Sequence, residues 1–356
     1  MSDKPILFNM TSGELEQFVT GLGQPKFRAK QITEWLRRGA PNFSVMKNLP
    51  ENLRTGLDAA AITLPAQIEK KLESSDNQTT KFLLKLLDGE VIETVLMRTS
   101  YGNSVCVSSQ VGCAMGCRFC ASTLKGLRRN LTMNEMIAQI LIAQWELRSD
   151  SAIKPNGDAN NNDVSHIVVM GTGEPLQNTE NLKGFLEYAN AQMGISWRRM
   201  TVSTCGIVSG INDLTEWGRP VNLAISLHAP TDALRETIMP INKKYGIADI
   251  LDAAFIQTEK TSRQLMIEYI LLAGINDSPE NAEALSELLR GKNVMVNLIP
   301  MNAVSEREFA APSNNAVHRF QDVLIKNGVH TRIRRERGAD IGSACGQLRL
   351  GDKNEK

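Results

Sequence analysis

The chain has 356 residues, 42% of them hydrophobic and 22% charged, with six cysteines and a formal net charge of +1. That composition predicts an ordinary globular protein with room for one large domain and a small one, and six cysteines suit a reducing cytoplasm better than a disulfide framework. It argues against a membrane span, since no apolar run reaches the roughly 18 residues required, against a secretory start, since Met1-Ser2-Asp3-Lys4-Pro5 has no apolar core, and against a globally basic field, so that any nucleic acid would meet local patches.

In chain order, Thr11-Ser12-Gly13-Glu14 offers a helix cap. Residues 27–36 carry apolar side chains at helical spacing, and 51–59 suit a third short helix. Residues 80–87 and 91–97 read as strands joined by Asp88-Gly89-Glu90, a hairpin signal. Residues 1–98 are therefore expected to form a small N-terminal α+β accessory domain.

From Ser104 the rhythm changes to strand then helix. Strand-like runs fall at 104–108, 166–170, 200–203, 222–227, 265–271 and 294–299. The clearest helix, 132–148, opens on the capping box Thr132-x-x-Glu135. Six such units predict an α/β fold, with a parallel sheet curved into a partial (βα)6 barrel over 99–340. Residues 149–163, with their Asn160-Asn161-Asn162 run, read as a solvated, mobile loop, and 341–356 form a C-terminal segment.

The first barrel strand leads into Cys113-Ala-Met-Gly-Cys117-Arg-Phe-Cys120. A four-iron cluster normally takes four thiolates. Three at this spacing, with no fourth nearby, would leave one iron open to bind and reduce a ligand. The competing reading is a structural zinc site, which wants four ligands. Cys106 could supply the fourth, but Val105-Cys106-Val107-Ser108 alternates like a strand, which limits its freedom to wrap an ion.

Other polar residues also follow strands, where parallel α/β folds collect their functional groups. Gly171-Thr172-Gly173-Glu174-Pro175 lacks the third glycine of a phosphate loop. A carboxylate beside bare glycine backbone suits an ammonium group, and a tight turn with a solvated glutamate is the plainer alternative. Ser203, Ser226-Leu227-His228 and Asn302 end later strands. Singly each suits a cap or a satisfied core group; together at one barrel edge they read as a cofactor pocket. Cys345, in Gly342-Ser343-Ala344-Cys345-Gly346-Gln347, is either an exposed tail cysteine or a thiol on a mobile small-residue segment. The run Arg332-Ile333-Arg334-Arg335-Glu336-Arg337 behind it would lower a thiol pKa and could hold phosphates. Cys205 reads as a small buried hydrophobe.

The cysteine triplet, the glycine–glutamate turn and the six βα units resemble the radical S-adenosylmethionine superfamily. Cys106-Val-Ser-Ser-Gln-Val-Gly-Cys113, Ile225-Ser-Leu-His-Ala-Pro230, Pro240-Ile-Asn-Lys-Lys-Tyr245 and Ala344-Cys-Gly-Gln347 narrow the resemblance to the RlmN/Cfr group of RNA adenosine methyltransferases, over nearly the whole chain. The resemblance implies methylation of carbon 2 of an adenosine in 23S rRNA and of adenosine 37 in tRNAs. It implies that Cys113, Cys117 and Cys120 ligate one [4Fe-4S] cluster. Gly173, Glu174, Ser203, Ser226, Leu227, His228 and Asn302 would bind S-adenosyl-L-methionine, consumed twice per turnover. Cys345 would carry the methyl group and then a carbon radical, formed by a 5′-deoxyadenosyl radical. Cys106 would resolve the RNA adduct through a disulfide with Cys345, and Glu93 would accept a proton. An external one-electron reductant of flavodoxin or ferredoxin type and a monomeric state come with the same resemblance.

Two departures stand out. Thr172 replaces a methionine common in the turn, and Ala303-Val-Ser-Glu-Arg-Glu-Phe309 lacks the relatives' proline-rich run. Lys125, Arg128, Arg129, Arg198 and Arg199 are candidate RNA contacts, with a solvated face as the plain alternative for each. The rival readings are a Cfr-type enzyme acting at carbon 8, a non-catalytic RNA-binding protein with a structural metal, and a glycyl-radical activase, which leaves Cys106 and Cys345 unexplained.

Overall fold

The computed structural model describes residues 4–149, 163–302, 304–334, 337–344 and 346–348. The predicted loop at 149–163 lies, apart from its two ends, outside the described residues.

The predicted hairpin is present as β2 (Thr79–Leu86) and β3 (Val91–Thr99), paired antiparallel with Lys85 opposite Val91. A preceding strand, β1 (Ala66–Glu73), escaped the sequence reading. It is an edge strand with an irregularity between Ile68 and Lys70, and its Lys- and Glu-rich side chains are mostly exposed, so it shows little alternation. β3 pairs in turn with β4 (Gly102–Cys106), again antiparallel. From β4 the sheet runs parallel through β7 (Val164–Val169), β8 (Met200–Thr204), β9 (Asn222–Ser226), β10 (Leu265–Leu271), β11 (Val294–Pro300) and the short β12 (Thr331–Ile333). All six predicted barrel strands are present, within one ten-stranded sheet that the hairpin extends on one side and β12 on the other. A separate antiparallel pair, β5 (Gln110–Gly112) and β6 (Leu127–Asn130), brackets the cysteine triplet.

Seven helices alternate with the parallel strands: α4 (Met133–Ser149), α5 (Thr179–Met193), α6 (Val208–Trp217), α7 (Asp232–Ile238), α8 (Ile247–Thr261), α9 (Pro279–Leu289) and α10 (Asn314–Lys326). The predicted capping box opens α4: Thr132 N–H donates to Glu135 Oε2 at 2.8 Å, and Glu135 N–H donates to Thr132 Oγ1 at 3.2 Å. Gln139, wholly buried on this helix, accepts from Ser108 N–H at 2.8 Å and donates to Ser108 O at 3.0 Å, which fixes the backbone leaving β4. Among the described residues no helix is long and apolar enough to cross a membrane.

The N-terminal helices α1 (Ser12–Gly21), α2 (Phe27–Arg37) and α3 (Glu51–Ala60) close around a core of their own, built from residues such as Val19, Ile32, Phe43, Met46 and Leu57. Phe8 meets Tyr188 edge to face at 5.9 Å, and Trp35 meets Trp145 at 6.2 Å, seating this unit on α5 and α4.

Candidate active site

The β5–β6 pair forces the intervening chain into a tight loop. Gly112 (φ 77°), Gly116 (φ 71°) and Gly126 (φ 66°) adopt the left-handed backbone that a side chain would strain. Cys113 N–H donates to Gly126 O at 3.2 Å, and Thr123 Oγ1 donates to the carbonyls of Cys117 and Cys120 at 3.1 and 3.0 Å. Arg118 N–H donates to Ile238 O at 2.9 Å, docking the loop on the end of α7. Cys113, Cys117 and Cys120 thereby line one wall of a cavity at the carboxyl ends of the strands.

Burial pushes the Cys113 thiol up to about 12, with the charges of Cys120 and Glu174 adding to the effect. Cys117 is also raised well above the ordinary thiol value, by burial and by Cys120 and Cys113. Left alone these sulfurs hold their protons. A cationic centre that displaces those protons is what such a donor set fits, because thiolates crowded in an apolar wall need a positive partner. Among the described residues no three His, Cys, Asp or Glu side chains converge on a single ion. The donor set is three sulfurs along one wall, which suits a multi-iron cluster.

The glycine–glutamate turn forms the adjoining wall. A Cβ on Gly171 would stand 2.7 Å from Ser108 Oγ, and one on Gly173 (φ 109°) would stand 2.6 Å from Gln110 Cβ, so neither position accepts a side chain. Glu174 is buried, which removes the plainer of its two sequence readings, a solvated glutamate. Its Oε1 accepts from Leu176 N–H at 3.0 Å and its Oε2 from Cys205 N–H at 2.8 Å. Burial raises its pKa, and these backbone bonds oppose the rise. The carboxylate ties the turn to the chain just past β8.

Ser203 and Ser226 line the cavity with their hydroxyls 3.4 Å apart. His228 also lines it, with φ 62° and its Nδ1 accepting from Ile270 N–H at 3.0 Å. That bond places the ring proton on Nε2. Burial, with Arg235 nearby, drives the His228 pKa down to about 3, so the ring is neutral. Its edge meets Phe119 of the cysteine loop at 5.0 Å between centroids. Leu227 is wholly buried in the core and Asn302 is buried after β11; neither belongs to the cavity lining. Cys205 is buried, in keeping with its reading as a small hydrophobe.

Glu93 and Cys106 lie on the hairpin side. Glu93 is buried on β3, 3.2 Å from Lys81 Nζ, and Cys106 is half-buried at the end of β4, opposite Val95. Lys81 Nζ also donates to Gly342 O at 3.1 Å. Cys345 lies outside the described residues, so its pairing with Cys106 lies there too; among the described cysteines no disulfide joins any two. The chain beyond it is held by the cysteine loop, where Ala121 N–H donates to Gly346 O at 2.8 Å and Ser122 Oγ to Leu348 O at 2.6 Å.

Arg235 and Glu268, which no motif marks, and Arg334, from the arginine run, complete the site. Arg235, wholly buried, donates to Leu227 O, Ser226 O, Cys205 O and Asn242 Oδ1 at 2.6–3.1 Å, stapling the ends of β8 and β9. Glu268 and Arg334 also line the cavity. Of the candidate RNA contacts, Arg128 pairs with Glu90 at 2.6 Å, and Arg129 pairs with Asp88 at 2.7 Å and Glu135 at 2.8 Å, so both bind β6 to its surroundings. Arg198 and Arg199 precede β8, at the barrel end opposite the cavity, whereas Lys125 is exposed beside the cysteine loop.

Residues 6–63 match the sequence profile of the ribosomal RNA large subunit methyltransferase N-terminal domain, and residues 107–285 match that of the radical SAM superfamily. A probable dual-specificity RNA methyltransferase RlmN from Symbiobacterium thermophilum is 46% identical over 96% of this chain and 90% of its own length. One of the same description from Alkaliphilus oremlandii is 45% identical over 98% of both chains. The crystal structure of a radical SAM methyltransferase from Sphaerobacter thermophilus superposes with a TM-score of 0.85 at 39% identity, covering 97% of this chain and 99% of that one.

Proposed function

Because the chain belongs to the RlmN family of radical S-adenosylmethionine RNA methyltransferases, with a [4Fe-4S] cluster and S-adenosylmethionine as its cofactors, we propose that it methylates carbon 2 of adenosine in 23S rRNA and in tRNA at position 37, through a methyl group carried on Cys345. The observation that carries this reading is the anchoring of the segment around position 345. Gly346 and Leu348 are bonded to the turn that follows Cys120, and Gly342 to the lysine that pairs with Glu93. The described residues on either side of position 345 in the chain are thus held by the buried Lys81–Glu93 pair on one side and by the turn after Cys120 on the other.

Carbon 2 of adenine lies between two ring nitrogens and is too electron-poor to attack a sulfonium methyl as a nucleophile. When bound, the reduced cluster and S-adenosylmethionine supply a hydrogen-abstracting radical that opens another route. The chain's own residues do the rest. Cys113, Cys117 and Cys120 would hold the cluster, and Gly173, Glu174, Ser203, Ser226 and His228 line the cosubstrate pocket, with Leu227 and Asn302 contributing from outside its lining. Cys345 fixes the transferred carbon against the ring, where proximity replaces a bimolecular encounter. Glu93, held by Lys81, takes the ring proton, and Cys106 releases the product by pairing with Cys345. We place the protein in the cytoplasm as a monomer fed by a flavodoxin- or ferredoxin-type reductant. Residues 1–98 serve as an accessory RNA-contacting domain, 99–340 as the catalytic core and 341–356 as the methyl-carrying segment.

The test is anaerobic reconstitution followed by mass spectrometry of nucleosides from treated 23S rRNA and tRNA. The expected product is 2-methyladenosine from wild type and none from Cys345→Ala, which still binds cluster and cosubstrate. Methylated RNA from that variant overturns the carrier role, and 8-methyladenosine overturns the carbon-2 assignment.

A further inference from the structure

Three parts of the molecule meet at the turn from Cys120 to Thr123. Cys120 belongs to the cavity wall. Ala121 and Ser122 hold Gly346 and Leu348 of the C-terminal segment. The third part is the loop after β11, which reaches the turn through Arg307, 187 residues beyond Cys120. Arg307 Nη2 donates to Thr123 Oγ1 at 2.8 Å and to Cys120 O at 3.0 Å. Thr123 Oγ1 in turn donates to the carbonyls of Cys117 and Cys120, so one guanidinium supports the backbone of two sulfur-bearing residues. The loop that presents it is seated on both sides. Val304 is buried and its carbonyl accepts from Arg307 N–H at 2.9 Å. Phe309 packs on the barrel core, and Ala310 O accepts from Ala273 N–H at 2.9 Å. Arg307 Nε is buried without a partner, a penalty that the two bonds of Nη2 must outweigh. Bonds from an ionised donor are about twice as strong as neutral ones, which makes that possible.

We propose that Arg307 is a positioning residue for the methyl transfer: it clamps the turn from Cys120 to Thr123, so that one contact fixes both a cluster ligand and the docking site of the C-terminal segment. This rests on the reading of Cys113, Cys117 and Cys120 as the ligands of the cluster. Arg307 is not among the residues that line the cavity, and it acts on Cys120 through the peptide carbonyl, at the other end of the residue from the sulfur. Its hold on the chemistry is therefore mechanical. Without it the turn keeps only its internal threonine bonds and its bonds to the segment it is meant to dock. Opening of the turn would then loosen the Cys120 sulfur and the anchors of Gly346 and Leu348 together. Nothing in the sequence marks this arginine, which stands between Glu306 and Glu308 like any charge of a surface loop.

Two measurements on the anaerobically reconstituted holoprotein test the clamp: hydrogen exchange at the Ala121 amide, which is bonded to Gly346 O, and the rate at which a chelator removes iron. In Arg307→Met the Ala121 amide is expected to exchange about tenfold faster or more, the scale of losing charge-assisted hydrogen bonds. Iron release should accelerate by a similar factor, while amides of β9 and β10 and the melting temperature stay near wild type. Arg307→Lys should recover part of both, because it keeps a cationic donor and puts a methylene where Nε lies unsatisfied. Thr123→Val removes the other end of the contact and should give the same two accelerations, which keeps the test open if Arg307→Met does not fold. Wild-type exchange at Ala121 in Arg307→Met overturns the proposal, as does faster exchange confined to residues 304–310, which would mean that the arginine pins only its own loop. Faster exchange throughout β9 and β10 overturns it in favour of a general stabilising role. Faster exchange at Ala121 with wild-type iron release overturns the shared clamp. Wild-type protein that takes up no iron would instead remove the cluster reading, and exchange at Ala121 would still decide whether Arg307 holds the turn.

Discussion

The two walls of the cavity are built by opposite means. On one side the functional groups come from consecutive residues: Cys113 to Cys120 in one loop, and Gly171 to Glu174 in one turn. On the other side Ser203, Ser226, Glu268 and Arg334 come from separate strands or the segment after β12, and only the parallel sheet unites them. The first wall is a set of local backbone shapes hung on the barrel; the second is the barrel itself. Chemistry should therefore be separable from folding on the first wall and inseparable on the second.

The largest expected effect breaks the chemistry alone. Cys117→Ala removes one of three sulfurs from a loop that backbone bonds and the Arg118 contact with α7 already hold. RNA methylation and the four-iron absorbance should vanish, with a rate loss of at least about 10³-fold, while circular dichroism and melting stay near wild type. A collapse of the fold would show that the first wall is not local.

Arg235→Met attacks the other wall. The guanidinium is the donor to three backbone carbonyls and Asn242, all in the interior. Its loss leaves buried acceptors unsatisfied, and stability should fall by about 3 kcal/mol or more, read as a shift in the urea midpoint. Arg235→Lys should recover little, because a point ammonium cannot reach four acceptors spread over a planar fork. Full stability in either variant would mean the ends of β8 and β9 are held by something else.

Gly173→Ala lies between these two. Its φ of 109° and the 2.6 Å approach to Gln110 Cβ predict strain of about 2 kcal/mol, with the turn pushed out of place. S-adenosylmethionine affinity, measured by dialysis on the loaded protein, should fall together with stability. An unchanged affinity would separate the turn from the pocket.

The same contrast explains what could be read in advance. The cysteine loop, the glycine turn, the α4 capping box and the six parallel strands were legible because each is written in neighbouring residues with a fixed period or spacing. β1 was not, because an edge strand of lysines and glutamates carries no buried alternation. Glu268 sits inside Leu265–Leu271, an otherwise apolar strand, and nothing local marks the side chain as facing a cavity. Arg235 resembles any surface arginine of a short helix until the fold buries it. Glu174 was legible as important but its bonds were not: its position is fixed by the turn, whereas one donor to its oxygens, Cys205 N–H, comes from just past β8. The ion pairs of Arg128 and Arg129 were illegible for the same reason, since their carboxylate partners Asp88, Glu90 and Glu135 lie in other elements.

The smallest expected effect is a pH dependence placed where the two walls touch, at His228 against Phe119. Protonating the ring would put a hydrogen on Nδ1, which already accepts from Ile270 N–H, and would add a charge near buried Arg235. The folded protein therefore resists protonation down to about pH 3, whereas the unfolded chain takes up the proton near the ordinary histidine value of about 6.5. The unfolded state binds more protons over that window, so stability should fall as pH drops through it, by at most about 1.4 kcal/mol per pH unit. Other groups titrate there too, and a variant isolates this one. His228→Asn keeps a residue type that tolerates φ 62° and cannot be protonated. Urea midpoints of wild type and variant at pH 7.5, 6.0 and 5.0 should converge or cross as pH falls, wild type losing more at each step. A constant difference would mean that His228 ionises in the fold as freely as in the open chain, and that the seam between the two walls admits water.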